Sequence, residues 1–106
     1  MQSAGKRNRF IHLERHDGSR DPHGAPMPDA WVGVASVWAD VRHESGTESI
    51  RAGAEVSEVR ASARISFRRD VVAGMRFWDG DAVYEIDAVL PGRVRTSIDL
   101  VCRRVS

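Results

Sequence analysis

The sequence predicts an all-β fold, a small β-barrel of about six strands. One observation is a run of ten residues, Val59 to Arg68, in which apolar and polar side chains alternate without a break. Apolar residues at every second position give a strand one core-facing side, whereas a helix would scatter them around its axis. The other observation is that short apolar runs are separated by turn residues, such as Asp79-Gly80 and Pro91-Gly92. We expect a single domain over the 106 residues.

Five further runs are predicted to be strands by weaker alternation: 9–15, 34–42, 75–78, 82–89 and 97–103. Within each strand, alternate apolar side chains are expected to share one face. The expected sets are Ile11 and Leu13; Val37, Ala39 and Val41; Val59, Ala61, Ala63, Ile65 and Phe67; Ala82, Tyr84, Ile86 and Ala88; and Ile98, Leu100 and Cys102.

Two segments do not follow this alternation. Residues 16–30 contain three prolines and two glycines, so we expect a long loop there. Residues 43–58 lie between the second and third barrel strands and are expected to form a long loop or a short helix. Charged residues recur there at helical intervals of three or four, whereas Gly46 and Gly53 weaken a helix by about 1 kcal/mol each.

Composition excludes several classes of protein. The net charge of +1 does not predict bulk attraction to nucleic acid or to an anionic membrane. No run approaches the ~18 apolar residues that span a bilayer, and the polar start lacks the apolar run of a signal peptide. Fifteen of the 16 basic residues are Arg, which suits subunit interfaces, although a GC-rich genome explains the same count.

No catalytic or cofactor motif is found, so we expect neither an enzyme nor a cofactor. The single cysteine, Cys102, excludes an internal disulfide and a cysteine cluster for zinc. His12 is placed on a predicted strand, where a residue four positions away, as His16 is, lies about 13 Å distant, too far to share one metal ion.

One alternative is a small monomeric β-barrel module that binds nucleic acid. Arg60, Arg64 and Arg68 share one phase of the alternation and could follow a phosphate backbone. Trp38 and Trp78 fall at polar positions of their strands and could be exposed for base stacking, or could cover an interface.

Ordered sequence features along nearly the whole chain carry a family resemblance. They are Ala4-Gly5-Lys6-Arg7-Asn8-Arg9-Phe10-Ile11-His12-Leu13, Trp31, Val37-Trp38-Ala39-Asp40-Val41, Ala63-Arg64-Ile65-Ser66-Phe67-Arg68, Gly74-Met75-Arg76, Tyr84-Glu85-Ile86 and Leu100-Val101-Cys102-Arg103-Arg104. With these features the chain resembles the phage head–tail joining family, small connectors of tailed phages and of phage-derived gene transfer particles. Asn8 stands where the family usually has His or Arg.

The resemblance implies a structural protein of the virion neck. Such a connector barrel assembles in the bacterial cytoplasm into a ring of about six or twelve copies. The ring binds the portal or its adaptor, closes the channel around packaged double-stranded DNA without reading its sequence, and docks the tail terminator or tail tube. Because adaptors are usually helical, an all-β chain favours the stopper position.

The resemblance also implies two sets of contact residues. The loop that lines the channel or joins subunits includes His43, Glu44, Glu48, Arg51 and Glu55. Contacts with other subunits, with the adaptor or with the tail are expected from Arg7, Arg9, Trp31, Trp38, Arg60, Arg64 and Arg68. A connector should pair the three arginines of residues 60–68 with carboxylates, whereas a nucleic-acid module should leave them open.

Overall fold

A closed antiparallel barrel forms the centre of the molecule, whose structure is a computed structural model. The structure describes residues 8–43, 59–92 and 95–105, and the backbone of residues 49–51 and 54–56. The strands are β1 (Arg9–His16), β2 (Trp31–His43), β3 (Ser49–Arg51), β4 (Ala54–Val56), β5 (Arg60–Ser66), β6 (Arg76–Asp79), β7 (Ala82–Pro91) and β8 (Ser97–Arg104). Six of them close the barrel in the order β1-β2-β5-β8-β7-β6, and β3 pairs with β4. The predicted all-β barrel is confirmed, and the described residues contain no helix.

Alternate apolar side chains of the six strands fill the barrel. Ile11, Ile65 and Leu100 are fully buried, as the alternation predicts. Phe77 stacks on Tyr84 with ring centroids 5.1 Å apart. The other buried side chains of this core are Leu13, Ala39, Ala61, Ala63, Val71, Met75, Ile86, Ile98 and Cys102.

The alternating run from Val59 to Arg68, predicted to be one strand, is longer than the strand that forms, β5 (Arg60–Ser66). β5 ends at Ser66, which lies opposite Ser97, and the next residue lies at the rim of the barrel. Phe67 is therefore 51% exposed and Val59 is 39% exposed, so the prediction that both face the core is wrong. Arg68 likewise follows the strand and does not continue the outward row of Arg60 and Arg64.

A β-bulge changes the inner face of β7. Asp87 and Ala88 together lie opposite Val101 of β8, so the strand gains one residue and its alternation shifts. Val89 packs against the core in place of Ala88, and the predicted sharing of one face by Ile86 and Ala88 is wrong.

The turn predicted at Asp79-Gly80 joins β6 to β7. Asp79 lies opposite Ala82, which leaves Gly80 and Asp81 as the turn. Gly80 has φ +61°, a backbone conformation that favours glycine because other side chains are strained there.

The predicted loop between β1 and β2 is folded by its own hydrogen bonds. The Asp17 N–H donates to Ala30 O at 2.8 Å, and the Met27 N–H donates to Ser19 O at 2.9 Å. Hydrogen bonds from Ser19 lower the pKa of the Asp17 carboxyl. The loop between β1 and β2 is therefore held in one conformation by its own backbone.

The long segment before β5 contains a small hairpin. β3 and β4 pair antiparallel, with Ser49 opposite Val56 and Arg51 opposite Ala54. Of the two expected structures, a short helix is therefore not formed by these residues. Glu44 and Glu48 lie outside the described residues.

Candidate assembly surfaces

Aromatic side chains cover the outside of β6, β1 and β2. Because Ile11 and Leu13 point inward, the residues between and beside them point outward. We call this surface the aromatic wall; it consists of Phe10, His12, Trp31, Trp38 and Trp78.

The most exposed part of the aromatic wall is one cross-strand pair. Phe10 lies opposite Trp38, with ring centroids 5.1 Å apart. Their exposed fractions are 45% and 56%. The ring of His12 meets Phe10 edge to face at 5.4 Å, and its Nδ1 lies 2.6 Å from Ser36 Oγ. Two large rings are thus held in place without being buried.

The other end of the aromatic wall is covered by the chain itself. Glu14 Oε1 accepts from Arg76 Nε at 2.7 Å and from Trp78 Nε1 at 3.0 Å. The guanidinium of Arg76 lies 4.2 Å from the centroid of the Trp31 ring, a cation–π contact. His16 meets the same ring edge to face at 5.3 Å.

Ion pairs cover the outside of β5, β8 and β7, on the opposite side of the barrel. Arg64 lies opposite Asp99, and its Nε donates to Oδ1 at 2.9 Å. Arg103 donates to Glu85 at 2.7 Å and to Asp87 at 3.2 Å. The hydrogen bond and the negative charge of Asp99 raise the pKa of the Arg64 guanidinium. We call this surface the ion-pair wall, and its charges are matched within one chain.

The barrel mouth beside β6 carries a third polar group of residues. Arg9 Nε donates to both carboxylate oxygens of Asp79, at 2.8 and 3.0 Å, and this pairing raises the pKa of Arg9. His43 Nε2 lies 2.8 Å from Tyr84 Oη. These four residues line an open cavity of about 370 Å³ together with Asn8, Val41, Ala82 and Arg104. Burial raises the pKa of Tyr84, so its hydroxyl keeps its proton at neutral pH.

The expected contact residues are distributed over these surfaces. Trp38 is exposed as expected, whereas Trp31 is half-buried beneath Arg76. Arg9 and His43 lie together at the barrel mouth, although sequence reasoning assigned them to different contacts.

Arg60, Arg64 and Arg68 each have an interaction within the chain. Arg64 pairs with Asp99, and Arg68 pairs with Asp70 at 2.8 Å. For Arg64 and Arg68 this is the pairing with carboxylates that is expected of a connector rather than of a nucleic-acid module.

Five of the expected residues are not described at the side-chain level. Arg7, Glu44 and Glu48 lie outside the described residues. Arg51 and Glu55 lie in the β3–β4 hairpin, where Arg51 is opposite Ala54 and Glu55 is opposite Ile50. Only the backbone of these residues is described.

Sequence reasoning missed several residues of these surfaces. Phe10 could have been found, because it occupies the outward phase of a strand whose inward phase is Ile11 and Leu13. The pairing of Arg9 with Asp79 could not, because 70 positions separate the two residues and the barrel alone brings them together.

The described residues offer no group of three or more His, Cys, Asp or Glu that could hold a metal ion. Burial raises the pKa of the Cys102 thiol to about 12, and its S–H donates to Ala61 O at 3.2 Å. The thiol is therefore protonated at neutral pH and is a poor nucleophile. Within the described part of the chain, no helix is long and apolar enough to cross a membrane.

A small closed barrel with an exposed aromatic pair on one wall and matched charges on the other has the surfaces of an assembly protein. The chain belongs to the phage head completion protein family, whose model matches residues 2–105. It is 27% identical to the head completion protein gp7 of Enterobacteria phage HK97 over 97% of this chain and 96% of that protein.

Two solved structures share the fold. One is a chain of the virion of the native gene transfer agent particle, with a TM-score of 0.74, 25% identity and coverage of 92% of this chain and 94% of that one. The other is the solution structure of protein SF1141 from Shigella flexneri 2a, with a TM-score of 0.67, 27% identity and coverage of 99% and 98%.

These relationships establish a structural role in completing the head of a phage or a phage-like particle. The predicted resemblance to head–tail joining proteins is confirmed. The alternative of a free-standing nucleic-acid module has no support among these relatives, and Arg64 and Arg68 are paired with carboxylates.

Proposed function

We propose that this chain is a single connector domain that forms a ring of about six or twelve copies at the virion neck. The ring lies between the portal or its adaptor and the tail and acts as a stopper rather than as an enzyme. The observation that carries this proposal is the difference between the two walls. In a ring each subunit contacts its neighbours through two different surfaces, and this barrel presents two.

The exposed pair of Phe10 and Trp38 is the anchor of one contact. Aromatic side chains are enriched at interface centres because they bury a large area at a small cost in conformational entropy. Trp31, with Arg76 stacked on it, extends the same surface. Arg7, Arg9, Arg60, Arg64 and Arg68 belong to the surfaces that face neighbouring subunits, the adaptor or the tail, and the pairs of Arg64 and Arg68 exchange partners there or remain within the chain.

The segment from His43 to Arg60 leaves the barrel at the mouth that holds Arg9 and Asp79. We assign its residues His43, Glu44, Glu48, Arg51 and Glu55 to the lining of the channel or to contacts between subunits. Its carboxylates would repel a phosphate backbone, so packaged double-stranded DNA could pass without being gripped.

Electron microscopy of particles made without this gene tests the role. We expect DNA-filled or leaking heads beside separate, complete tails, because the tail terminator or tail tube has no surface to dock on. Restoring the gene from a plasmid should restore joined particles. Normal joined particles in the deletion would overturn the proposal, as would heads that fail to package DNA at all.

A further inference from the structure

Strand β2 pairs with β1 along most of its length but with β5 only near its C-terminal end. It has 13 residues, and its register with β1 runs from Trp31 to Ala39. Its register with β5 covers only Asp40 to His43. Among the described residues, the Trp31–Ala39 part of β2 therefore has a strand on one side only. We call the side away from β1 the open edge.

The register shows which backbone groups lie on the open edge. The Phe67 N–H donates to Thr96, beside β8, so the odd-numbered residues of β5 turn to β8 and the even-numbered ones turn to β2. Arg64 lies opposite Asp40, so the even-numbered residues of β2 turn to β5.

Continued by alternation, this rule turns Ser36 in the same direction, away from β1. β5 ends at Ser66, which the same register places opposite Trp38, so Ser36 lies past the end of β5. Among the described residues, Ser36 has no partner strand on that side, and none of the described backbone hydrogen bonds outside the strand ladders involves it. Its N–H and C=O groups are thus available to another strand.

Exposed strand edges usually carry Lys or another charge, a proline, a β-bulge or a covering segment. The open edge has a bulge at Val34, where the register with β1 shifts, so its regular part is Ala35 to Ala39. That part carries none of the blocking side chains. The stretch from Trp31 to Ala39 reads Trp-Val-Gly-Val-Ala-Ser-Val-Trp-Ala, with no charged residue and no proline. β-branched and aromatic residues at such an edge favour the addition of a further strand.

The same chain carries a hairpin that lacks a further strand. In the part of the chain that the structure describes, β3 and β4 pair with each other and with no barrel strand. A two-stranded hairpin is marginally stable in water, and a third strand stabilises it. A free edge and an incomplete hairpin at two different places on one subunit fit a head-to-tail contact between copies.

We propose that the β3–β4 hairpin of one copy adds to the open edge of β2 of the next copy and completes a shared sheet. This inference rests on the proposed ring and assigns the 43–58 segment to contacts between subunits. The hairpin would lie beside Trp38, which ties the strand addition to the exposed aromatic pair.

Cross-linking between single-cysteine variants tests the pairing. Particles are assembled in cells that co-express one chain with Ser36→Cys and another with Ser49→Cys, and are treated with a short bismaleimide. Cys102 is 1% exposed, so the unmodified chain gives a low background. The matched control replaces Ser36→Cys with Ser62→Cys, an exposed serine on the outside of β5.

We expect dimers from the 36/49 mixture at least tenfold above those from the 62/49 mixture. Equal yields, or no 36/49 dimer in particles whose neck ring is visible by electron microscopy, would overturn the strand addition and leave the ring standing. Particles that contain the protein without a ring would overturn the proposed ring and this inference together.

A backbone variant gives a second readout. Ser36→Pro removes the N–H on the open edge and keeps the β1 ladder, since proline is tolerated at strand edges. Ser36→Ala is the control, because both variants lose the hydroxyl beside His12 and only the alanine keeps the N–H. We expect incorporation into particles to fall at least tenfold for the proline variant alone. Equal incorporation of the two folded variants would contradict the proposal.

Discussion

The aromatic wall and the ion-pair wall are built from the same kind of strand but leave different surfaces. On the ion-pair wall, Arg64 meets Asp99 and Arg103 meets Glu85 across the strand register, so charges are matched within the chain. On the aromatic wall, Phe10 and Trp38 also meet across the register, yet both remain about half exposed.

The difference shows what cross-strand pairing can and cannot satisfy. Two opposite charges on neighbouring strands pair in a single contact, and water solvates the remaining polar atoms of the two side chains. Two aromatic rings in contact bury only the area between them, and their outer faces remain in water. A partner can therefore gain more from covering the aromatic wall than from covering the ion-pair wall.

Removing the exposed rings should have the largest effect. In the double variant Phe10→Ser and Trp38→Ser, we expect the yield of joined particles to fall about a hundredfold, because aromatic anchors dominate interface energies. The double variant Arg64→Gln and Arg103→Gln should change the yield less than tenfold. The measurement is the titre of functional particles, with thermal unfolding of each purified chain as the control for folding. Comparable losses in the two folded double variants would remove the distinction between the walls.

Within the aromatic wall, Glu14 should matter most for stability. Glu14→Gln removes the charge that holds Arg76 and Trp78, and both partners are half-buried. We expect a loss of about 1–2 kcal/mol in the free energy of unfolding, measured by urea denaturation.

The matched change on the ion-pair wall is Glu85→Gln. Arg103 keeps Asp87 as a partner there, and the pair is more exposed, so we expect a loss of about 0.5 kcal/mol or less. A larger loss for Glu85→Gln than for Glu14→Gln would reverse the comparison.

The smallest expected effect is the salt dependence of the stability lost when the Arg64–Asp99 pair is removed. Arg64→Gln should cost about 0.5 kcal/mol of unfolding free energy at 0.1 M NaCl, because its pair with Asp99 is partly exposed. The cost should almost vanish at 1 M NaCl, where the Debye length is about 3 Å. Urea denaturation of both chains at the two salt concentrations measures this difference. A cost that persists at high salt would mean that the ion-pair wall is held by buried contacts rather than by screened charges.

The sequence by itself determined the parts of this protein that depend on near neighbours in the chain. Alternation over Ala61, Ala63 and Ile65 identified the most regular strand and its buried face, because a strand shows each face at every second residue. Gly80 marked a turn because its positive φ is costly for other residues. Motif order along the chain identified the family.

Tertiary structure decided everything that depends on which strands are neighbours. Alternation could not reveal the end of β5 before Phe67 or the bulge at Asp87, since both are set by the strands alongside. Barrel closure joined Arg9 to Asp79 and His43 to Tyr84. It also left the Trp31–Ala39 part of β2 without a described second partner, because pairing between distant segments is fixed by the closure of the barrel and not by local sequence.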